Sequence, residues 1–425
     1  LFRRILGGEV RIVVGTRSAV FAPVRRLGLI VIDHEEDASY KEERSPRYHA
    51  RRVAQERAAR GGAAVIWGTP VPSTDLMREV FEGRAEAVRR AARTAPVVIA
   101  DVRAEAGPLG GLFGPRLYQA MLRVLPAERA IVFVPRRGYA DFILCQECGW
   151  VPRCGRCGVA MTYHVRQVRL HCHLCGAGEP VPEVCAVCGG TRLRPHGVGT
   201  ERVESAARRL FRASPIHRLD ATAAPDEEAQ RRVWEQFGRR GGLLIGTQLL
   251  VKGIGQVSAG VVGAVGIDAG LNLPDFRAAE RMYQVLARLA GLARREMIVQ
   301  TFTPSHPVLH ALASDPERFY RDELAARAAF RYPPYHTLVN VVAAGRDTDA
   351  ARDLAGRIAS GIKGGEVLGP SPAPLARVRG RYRWQVLIKE GDEMAVRREL
   401  PDVLRGLGAV RETKIVVDVD PVELL

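Results

Sequence analysis

Eight cysteines constrain this chain more than any other feature. They fall within residues 145–188 as four CxxC pairs, Cys145/Cys148, Cys154/Cys157, Cys172/Cys175 and Cys185/Cys188, and no cysteine stands outside them. A CxxC knuckle offers two thiolates from one tight turn, and two knuckles close a tetrahedral sulfur shell with no position left for water, the structural type of zinc site. Four knuckles predict two structural Zn²⁺ ions. Disulfides compete as an explanation. However, the first ten residues (LFRRILGGEV) lack the apolar stretch and cleavage site of a secretory signal, and no run of about 18 apolar residues occurs, so the expectation is a reducing, cytoplasmic compartment. A redox CxxC would be single and would open a helix after a strand, whereas these repeat among Gly, Pro and polar residues. His164, His171 and His173 lie nearby; with eight thiolates filling two shells, they read as surface residues or neighbours of the ligands. Spacing leaves the pairing open among sequential, interleaved and nested arrangements.

The cysteine segment interrupts an α/β pattern. From Val10 to Gly68, apolar β-rich runs (RIVVGT, LGLIVID, AAVIWG) alternate with an Arg- and Ala-rich stretch near 49–61 that reads as a helix, the order of a βαβ sheet. A second pattern opens with PVVIADV (96–102) and AIVFVP (130–135) and resumes after the cysteines with IHRLDAT (216–222), GGLLIGTQ (241–248) and VVGAVGIDAG (261–270). Helices are predicted at 202–212, 225–239 and near 277–291. After Thr303 the texture changes to a helix near 316–330, the YPPY turn (332–335), strands near 337–344, 384–390 and 414–420, and helices near 348–360 and 392–406. The chain thus divides into 1–95, 96–143 with 190–305, the insert 144–189, and 306–425. It opens on Leu1 in a strand-like segment, from which a further N-terminal part of a longer protein is expected.

At 47% hydrophobic and 26% charged, each part can bury an ordinary core, and disordered, collagen-like and low-complexity classes are excluded. The net charge of +16 makes a polyanion the first partner to consider; no basic amphipathic helix stands out, so nucleic acid is expected rather than a membrane. Only five of the 63 basic residues are Lys, and Arg is the better fork for phosphate. One acidic segment, Asp33-His34-Glu35-Glu36, comes directly after the strand LGLIVI. A carboxylate at the C-terminal end of a buried parallel strand is where α/β ATPases hold Mg²⁺, although strands also end in Asp merely to cap the next turn or helix. The other half of an ATP site, a GxxxxGK[ST] loop, does not occur in these 425 residues.

Further blocks stand in a telling order: GTRSAVFAPVRRLGLIVIDHEEDASYKEERSPRYHARRVA (15–54), FVPRRGYA (133–140), the four knuckles, GVGTERVE (197–204), IGTQLLVKG (245–253), DAGLNLPDFRAAER (268–281), VLGPSPAPLARVRGRYRWQVLIK (367–389) and VDVDPVELL (417–425). Together they resemble the PriA family of bacterial primosomal proteins, superfamily 2 helicases of replication restart. The resemblance implies an α/β fold of RecA-like helicase lobes, the first partial here, with an inserted two-zinc Cys-knuckle module and a C-terminal α+β domain. It implies nested zinc pairing, with Cys145, Cys148, Cys185 and Cys188 on one ion and Cys154, Cys157, Cys172 and Cys175 on the other. It also implies ATP and Mg²⁺ as cofactors, and a fork-recognising domain, a winged helix and the Walker A loop before Leu1. The partners it implies are forked and single-stranded DNA, single-stranded DNA-binding protein and helicase-loading primosome proteins, met in the cytoplasm at the nucleoid.

The departures from the family pattern bear on catalysis. Its Walker B motif, DEEH, reads Asp33-His34-Glu35-Glu36 here; Asp33 keeps the Mg²⁺ position, and the Glu that acts as base is His34. A neutral imidazole lacks the negative charge that polarises the attacking water. Motif III, Ser-Ala-Thr, reads Thr69-Pro70-Val71, and the His-Asp-Phe of motif V reads Ile254-Gly255-Gln256. Motif VI, QxxGRAGR, reads Arg288-Leu289-Ala290-Gly291-Leu292-Ala293-Arg294-Arg295. Its Gln is lost, its first Arg is Leu292, and only Arg295 matches a finger for the γ-phosphate. A homologue with weak or lost ATPase is the expected reading, and an active ATP-driven 3′→5′ helicase the alternative.

Groups suited to DNA remain. By resemblance Thr16, Arg17, Thr247, Gln248 and Lys252 contact the single-strand backbone, though a Thr after Gly at a strand end is often only a turn residue. Tyr40 and Tyr48, with Lys41, Arg44 and Arg47, form a basic aromatic loop suited to base stacking, or to plain surface packing. Near the end, alternation puts Arg379, Arg381 and Arg383 on one strand face and Tyr382 and Trp384 on the other, a DNA or partner surface by resemblance and otherwise a solvated strand face. An unrelated zinc-ribbon protein of transcription or translation would require the GTRSA, GTER and PDFRAAER blocks to be coincidence.

Overall fold

Apolar runs such as GLLIG (242–246) and AGVVGA (259–264) do not alternate inside and outside, so they require a sheet covered on both faces. The computed structural model, which describes all residues except 89–94, 104–111, 126, 136–141, 166, 198, 253–256, 392–393, 409–411 and 425, puts them at the centre of such a sheet. Six parallel strands run in the order Ile216–Leu219, Gly242–Gly246, Arg129–Phe133, Ala259–Ala264, Ala293–Thr301, Val97–Asp101. Phe113, Leu117 and Met121 with Val203, Ala206 and Ala207 cover one face, from the helices Pro115–Val124 and Thr200–Leu210 and the segment before the first. Trp234, Phe237, Leu286 and Leu289, from Glu227–Arg240 and Ala278–Ala290, cover the other.

The first lobe is a parallel pair, Leu29–Ile32 with Ala64–Trp67, joined by the helix Ala50–Gly61. Here one expectation is corrected: the apolar run at 10–15 forms no strand, and Ile12 and Val14 are 81% and 92% exposed. Strand propensity is a preference for packing beside a neighbour, and among the described residues no strand lies there to pair with it. Ala293–Thr301 was not legible as a strand, because its first four residues, ARRE, are polar and largely exposed and only the last five are buried.

The cysteine segment leaves the lobe through the antiparallel pair Phe142–Cys145 and Leu193–His196 and carries a small sheet of Thr162–His164, Arg169–His171 and Gly178–Pro180. The C-terminal region is a four-stranded antiparallel sheet, Glu366–Val378, Arg381–Glu390, Thr337–Gly345, Thr413–Val419, backed by the helices Thr348–Gly361 and Ala395–Gly406. The cysteine module is wedged between lobe and sheet. Its buried thiols share one apolar cluster with Tyr332, Leu338, Leu368, Leu387 and Leu424. Ser371 Oγ and Gln385 Nε2 both donate to His173 O, at 2.7 and 2.8 Å, and Tyr332 OH donates to Cys157 O at 3.0 Å.

On the lobe side the approach is closest at Gly149, where φ is +82° and a Cβ would lie 2.3 Å from Phe302 O. Gly149→Ala is therefore expected to cost at least about 2 kcal/mol, from strain and collision together. Gly155→Ala, which meets open space, should stay within about 0.5 kcal/mol of the parent. Thermal unfolding of the zinc-loaded chains checks both, and equal stability of the two variants would contradict the docking.

Candidate metal centres and nucleotide cleft

Each knuckle repeats one piece of local chemistry. The residue after the second cysteine is Gly in all four, at φ between +70° and +82°, and its N–H donates back to the first cysteine's carbonyl at 2.8–2.9 Å. The glycine supplies the left-handed step that closes the turn, so CxxCG, rather than CxxC, is the structural unit. The turns collect into two groups, Cys145, Cys148, Cys185 and Cys188, and Cys154, Cys157, Cys172 and Cys175, with the Sγ atoms of each within 4.8 Å of one another. The arrangement is nested. Sγ–Sγ separations of 3.7 Å (Cys145–Cys188), 3.6 Å (Cys148–Cys185) and 3.6 Å (Cys154–Cys175) match the roughly 3.8 Å edge of a tetrahedral ZnS₄ unit and far exceed the about 2.05 Å of a disulfide. The donor set thus fits two zinc ions. The histidines stand outside both shells: His164 Nε2 lies 3.3 Å from His173 Nε2, and His173 Nδ1 lies 3.3 Å from Pro372 O.

The acidic segment lies where the two lobes face each other. Asp33 ends its strand exposed, beside Gly68, whose missing Cβ would sit 2.9 Å from Asp33 Oδ1. His34 takes φ 50°, its N–H donating to Asp33 Oδ1 and its Nδ1 lying 3.1 Å from Glu36 Oε1. Thr69 Oγ1 donates to Glu36 Oε2 at 2.8 Å. From the second lobe, Arg288 Nη1 approaches Glu36 Oε1 to 3.6 Å. Burial raises the Asp37 carboxyl, yet hydrogen bonds from Ser39 and the charges of Lys252 and Arg288 carry it below its ordinary value. Lys252 is thus within electrostatic reach of Asp37. Arg295 does not face this cleft. It pairs with Glu128, just before the Arg129–Phe133 strand, so the finger read at Arg295 is corrected: the cation that the second lobe brings to Glu36 is Arg288.

Beneath the cleft the lobes are joined by buried ions. Glu280 Oε1 accepts the Thr74 N–H at 2.7 Å, and Glu280 Oε2 accepts Arg327 Nη2 at 2.8 Å and Arg277 Nη1 at 3.2 Å. Arg277 also reaches Asp75 at 3.1 Å, and Arg51 pairs with the buried Glu35. Burial alone would raise the carboxyls of Asp75 and Glu280. Arg277, Arg51 and Arg327 override it for Asp75, and Arg327 and Arg277 for Glu280, holding both well below the ordinary carboxylate range.

The DNA candidates divide. Lys41 is 4% exposed, pairs with Asp418 at 2.9 Å and donates to the carbonyls of Val419 and Asp420, so it fastens the first lobe to the last strand and offers no ammonium to DNA. Arg17 is similarly taken up by Ser39 O, Lys41 O and Glu42. Tyr40 OH donates to Asp33 O at 2.6 Å, and Tyr48 packs edge-on against Phe21, the packing alternative for both rings. Thr16 is exposed; Thr247 and Gln248 are half-buried just past the C-terminal end of the Gly242–Gly246 strand. Arg379 lies at φ 49° in the turn between two strands rather than on a strand face. Arg381 donates to Glu412 O, and burial lowers the half-buried Arg383.

Fold and cysteine groups together define an α/β protein carrying a two-zinc module. Two family models match: the primosomal protein N C-terminal domain over residues 328–422 and the PriA DNA helicase Cys-rich region domain over residues 154–180. The replication restart protein PriA of Bacillus subtilis is 35% identical over 99% of this chain and 55% of its own length. That of Treponema pallidum is 36% identical over 100% and 66%, and that of Haemophilus influenzae 33% over 99% and 60%. Among solved structures, the helicase MrfA bound to DNA and AMPPNP aligns over 72% of this chain and 34% of its own, at 11% identity and a TM-score of 0.33. The chain belongs to the PriA family, and it spans a little over half to two thirds of the length of these relatives. No described helix is long and apolar enough to cross a membrane.

Nested pairing gives a metal test. The double variants Cys145→Ser/Cys188→Ser and Cys154→Ser/Cys175→Ser should each keep one of the two zinc ions, read by metal content; loss of both ions from either would contradict nesting. The buried ions give a pH test. Carboxyls held low contribute stability that is complete above the ordinary carboxylate range and is lost as pH falls, here between about 4.5 and about 2. His49 and His306, lowered by burial to about 3 and about 4, steepen that acid loss below pH 6.5. Glu280→Gln, which leaves Arg327 without a full countercharge, should cost about 3–5 kcal/mol at neutral pH and flatten the dependence below pH 4.5 in thermal scans.

Proposed function

We propose that this chain acts in replication restart, binding forked and single-stranded DNA at stalled forks and recruiting the replicative-helicase loading machinery, with an ATPase that is weak or lost. The observation that carries the non-motor part is the cleft itself: an imidazole, His34, stands at the position of the family's catalytic carboxylate, and Leu292 stands where motif VI has its first Arg. A general base without charge and a missing finger each remove roughly 10²–10³-fold or more from phosphoryl transfer. The DNA part is supported by the similarity to replication restart proteins and by the charge of +16. On this reading Thr16, Thr247 and Gln248 track the strand backbone, and the hairpin tip around Arg379 and Arg381 meets DNA or the acidic tail of single-stranded DNA-binding protein. ATP and Mg²⁺, with Asp33 as the ligand, rest on family resemblance alone. The reading keeps the four-part division at 1–95, 96–143 with 190–305, 144–189 and 306–425, and a cytoplasmic, nucleoid-associated setting.

One observation favours the second reading, an active ATP-dependent 3′→5′ helicase: Asp33 is in place and Arg288 brings a cation to the same cleft. Fork-stimulated ATP hydrolysis by the zinc-loaded protein, including any residues that precede Leu1, separates the two. Background turnover in a preparation that still binds forks is the expected result; robust DNA-dependent turnover would establish the motor.

A further inference from the structure

Four positions at which the chain departs from its family's motifs meet in space. Two of the replacements introduce charge: Glu36 stands where DEEH ends in His, and Arg288 stands where motif VI begins with Gln. They are 3.6 Å apart, across the two lobes. The other two, His34 for Glu and Thr69 for Ser, complete the shell of the same carboxylate at 3.1 and 2.8 Å. Replacements accumulating independently in an idle site would leave a charge buried without a partner, which is costly. The Glu36 side chain is instead only 4% exposed and has all three partners. His34 is held at φ 50°, a conformation that non-glycine residues keep only where their surroundings over-determine it.

We propose that Glu36 and Arg288, with His34 and Thr69, form a charge latch that holds the two lobes in one relative position without nucleotide. The geometry of one helix gives the latch its purchase. Arg288 and Glu280 both belong to Ala278–Ala290, eight residues and so about 12 Å apart along it. Glu280 holds Thr74 N of the first lobe, and Arg288 holds Glu36. Arg277, one residue before the helix, adds a tie to Asp75 at the Glu280 end; ties at that end alone would permit rocking about it, whereas ties at both ends of one rigid helix do not. The lobe movement that a motor uses in every cycle then requires breaking an ion pair that the family pattern, with His and Gln, does not contain. The latch deepens the non-motor reading and rests on it for its meaning: it makes the lobes a static platform between the zinc module and the C-terminal sheet.

The test uses the whole zinc-loaded chain, with dyes attached through keto side chains introduced at the exposed Arg60 and Arg239, so that no cysteine is touched. Interlobe energy transfer and thermal unfolding are followed for E36Q, R288Q, the double variant, R288K, and the swapped pair E36R/R288E. Each single neutral variant should raise the population of molecules with a longer interlobe distance at least about fivefold, and the double variant should be no worse than either single one. R288K and the swapped pair should return towards the parent's narrow distribution. Two bound zinc ions and a cooperative unfolding transition in every variant establish that the chain is folded. An unchanged distance distribution in R288Q, with E36Q and R288Q strictly additive, overturns the latch and leaves the restart reading untouched. Fork-stimulated hydrolysis by the parent protein sinks the non-motor reading while a coupled cycle would still stand.

Discussion

Arg327 is 2% exposed and fully charged, and it can be buried only because Glu280 and Glu323 face it. Glu280 in turn accepts Arg277 and the Thr74 N–H, and Arg277 reaches Asp75. A first-lobe helix, a second-lobe helix and the helix Pro316–Ala329 thus meet through one set of neutralised charges. The contacts of Thr74 N with Glu280 and of Asp75 with Arg277 each bridge more than 200 residues of chain, while Arg277–Glu280 and Glu323–Arg327 are pairs within single helical turns. Removing any one leaves another buried charge unmatched, and that coupling joins the lobes and the C-terminal region at the Glu280 end of the second-lobe helix. The ties of Lys41, Arg47 and Arg52 to Asp418 and Asp420 extend the same connection to the last strand.

The zinc module has a mechanical role in this architecture. Nesting puts the outer four cysteines next to the strands by which the module leaves and rejoins the lobe, Phe142–Cys145 and Leu193–His196. The inner four pack towards the C-terminal sheet, where Tyr332, Ser371 and Gln385 bond to the knuckle backbone. A sequential pairing would make two independent beads; nesting makes one rod with a different neighbour at each end. With so little regular structure inside it, the module depends on metal for its rigidity.

Much of the scaffold was legible from the chain. The central strand cores at 130–133, 242–246 and 259–264 are continuous runs of apolar residues and glycine, and burial on both faces demands that pattern, whereas the edge strand Ile216–Leu219 carries His217 and Arg218 and is only partly buried. The strand at 293–301 was hidden because half of it faces solvent, and the run at 10–15 misled because apolar character alone does not supply a neighbouring strand. The glycine after each second cysteine was available as a signal and marks the left-handed step of every knuckle. Lys41 and Arg17 look like phosphate ligands in one dimension; they are occupied because carboxylates and carbonyls from 418–420 and 39–42 arrive beside them in three.

By itself the sequence determined the number of zinc ligands, the α/β alternation, the acidic strand end and the family. These are carried by residue type and by spacing within a few turns of chain, where local geometry leaves little choice. Only the tertiary structure decided which cysteine pairs share a metal, that Arg288 rather than Arg295 faces Glu36, and that Lys41 is internal. Each of those depends on where segments tens to hundreds of residues apart come to rest, and a charge acquires its role from the opposite charge that packing sets against it.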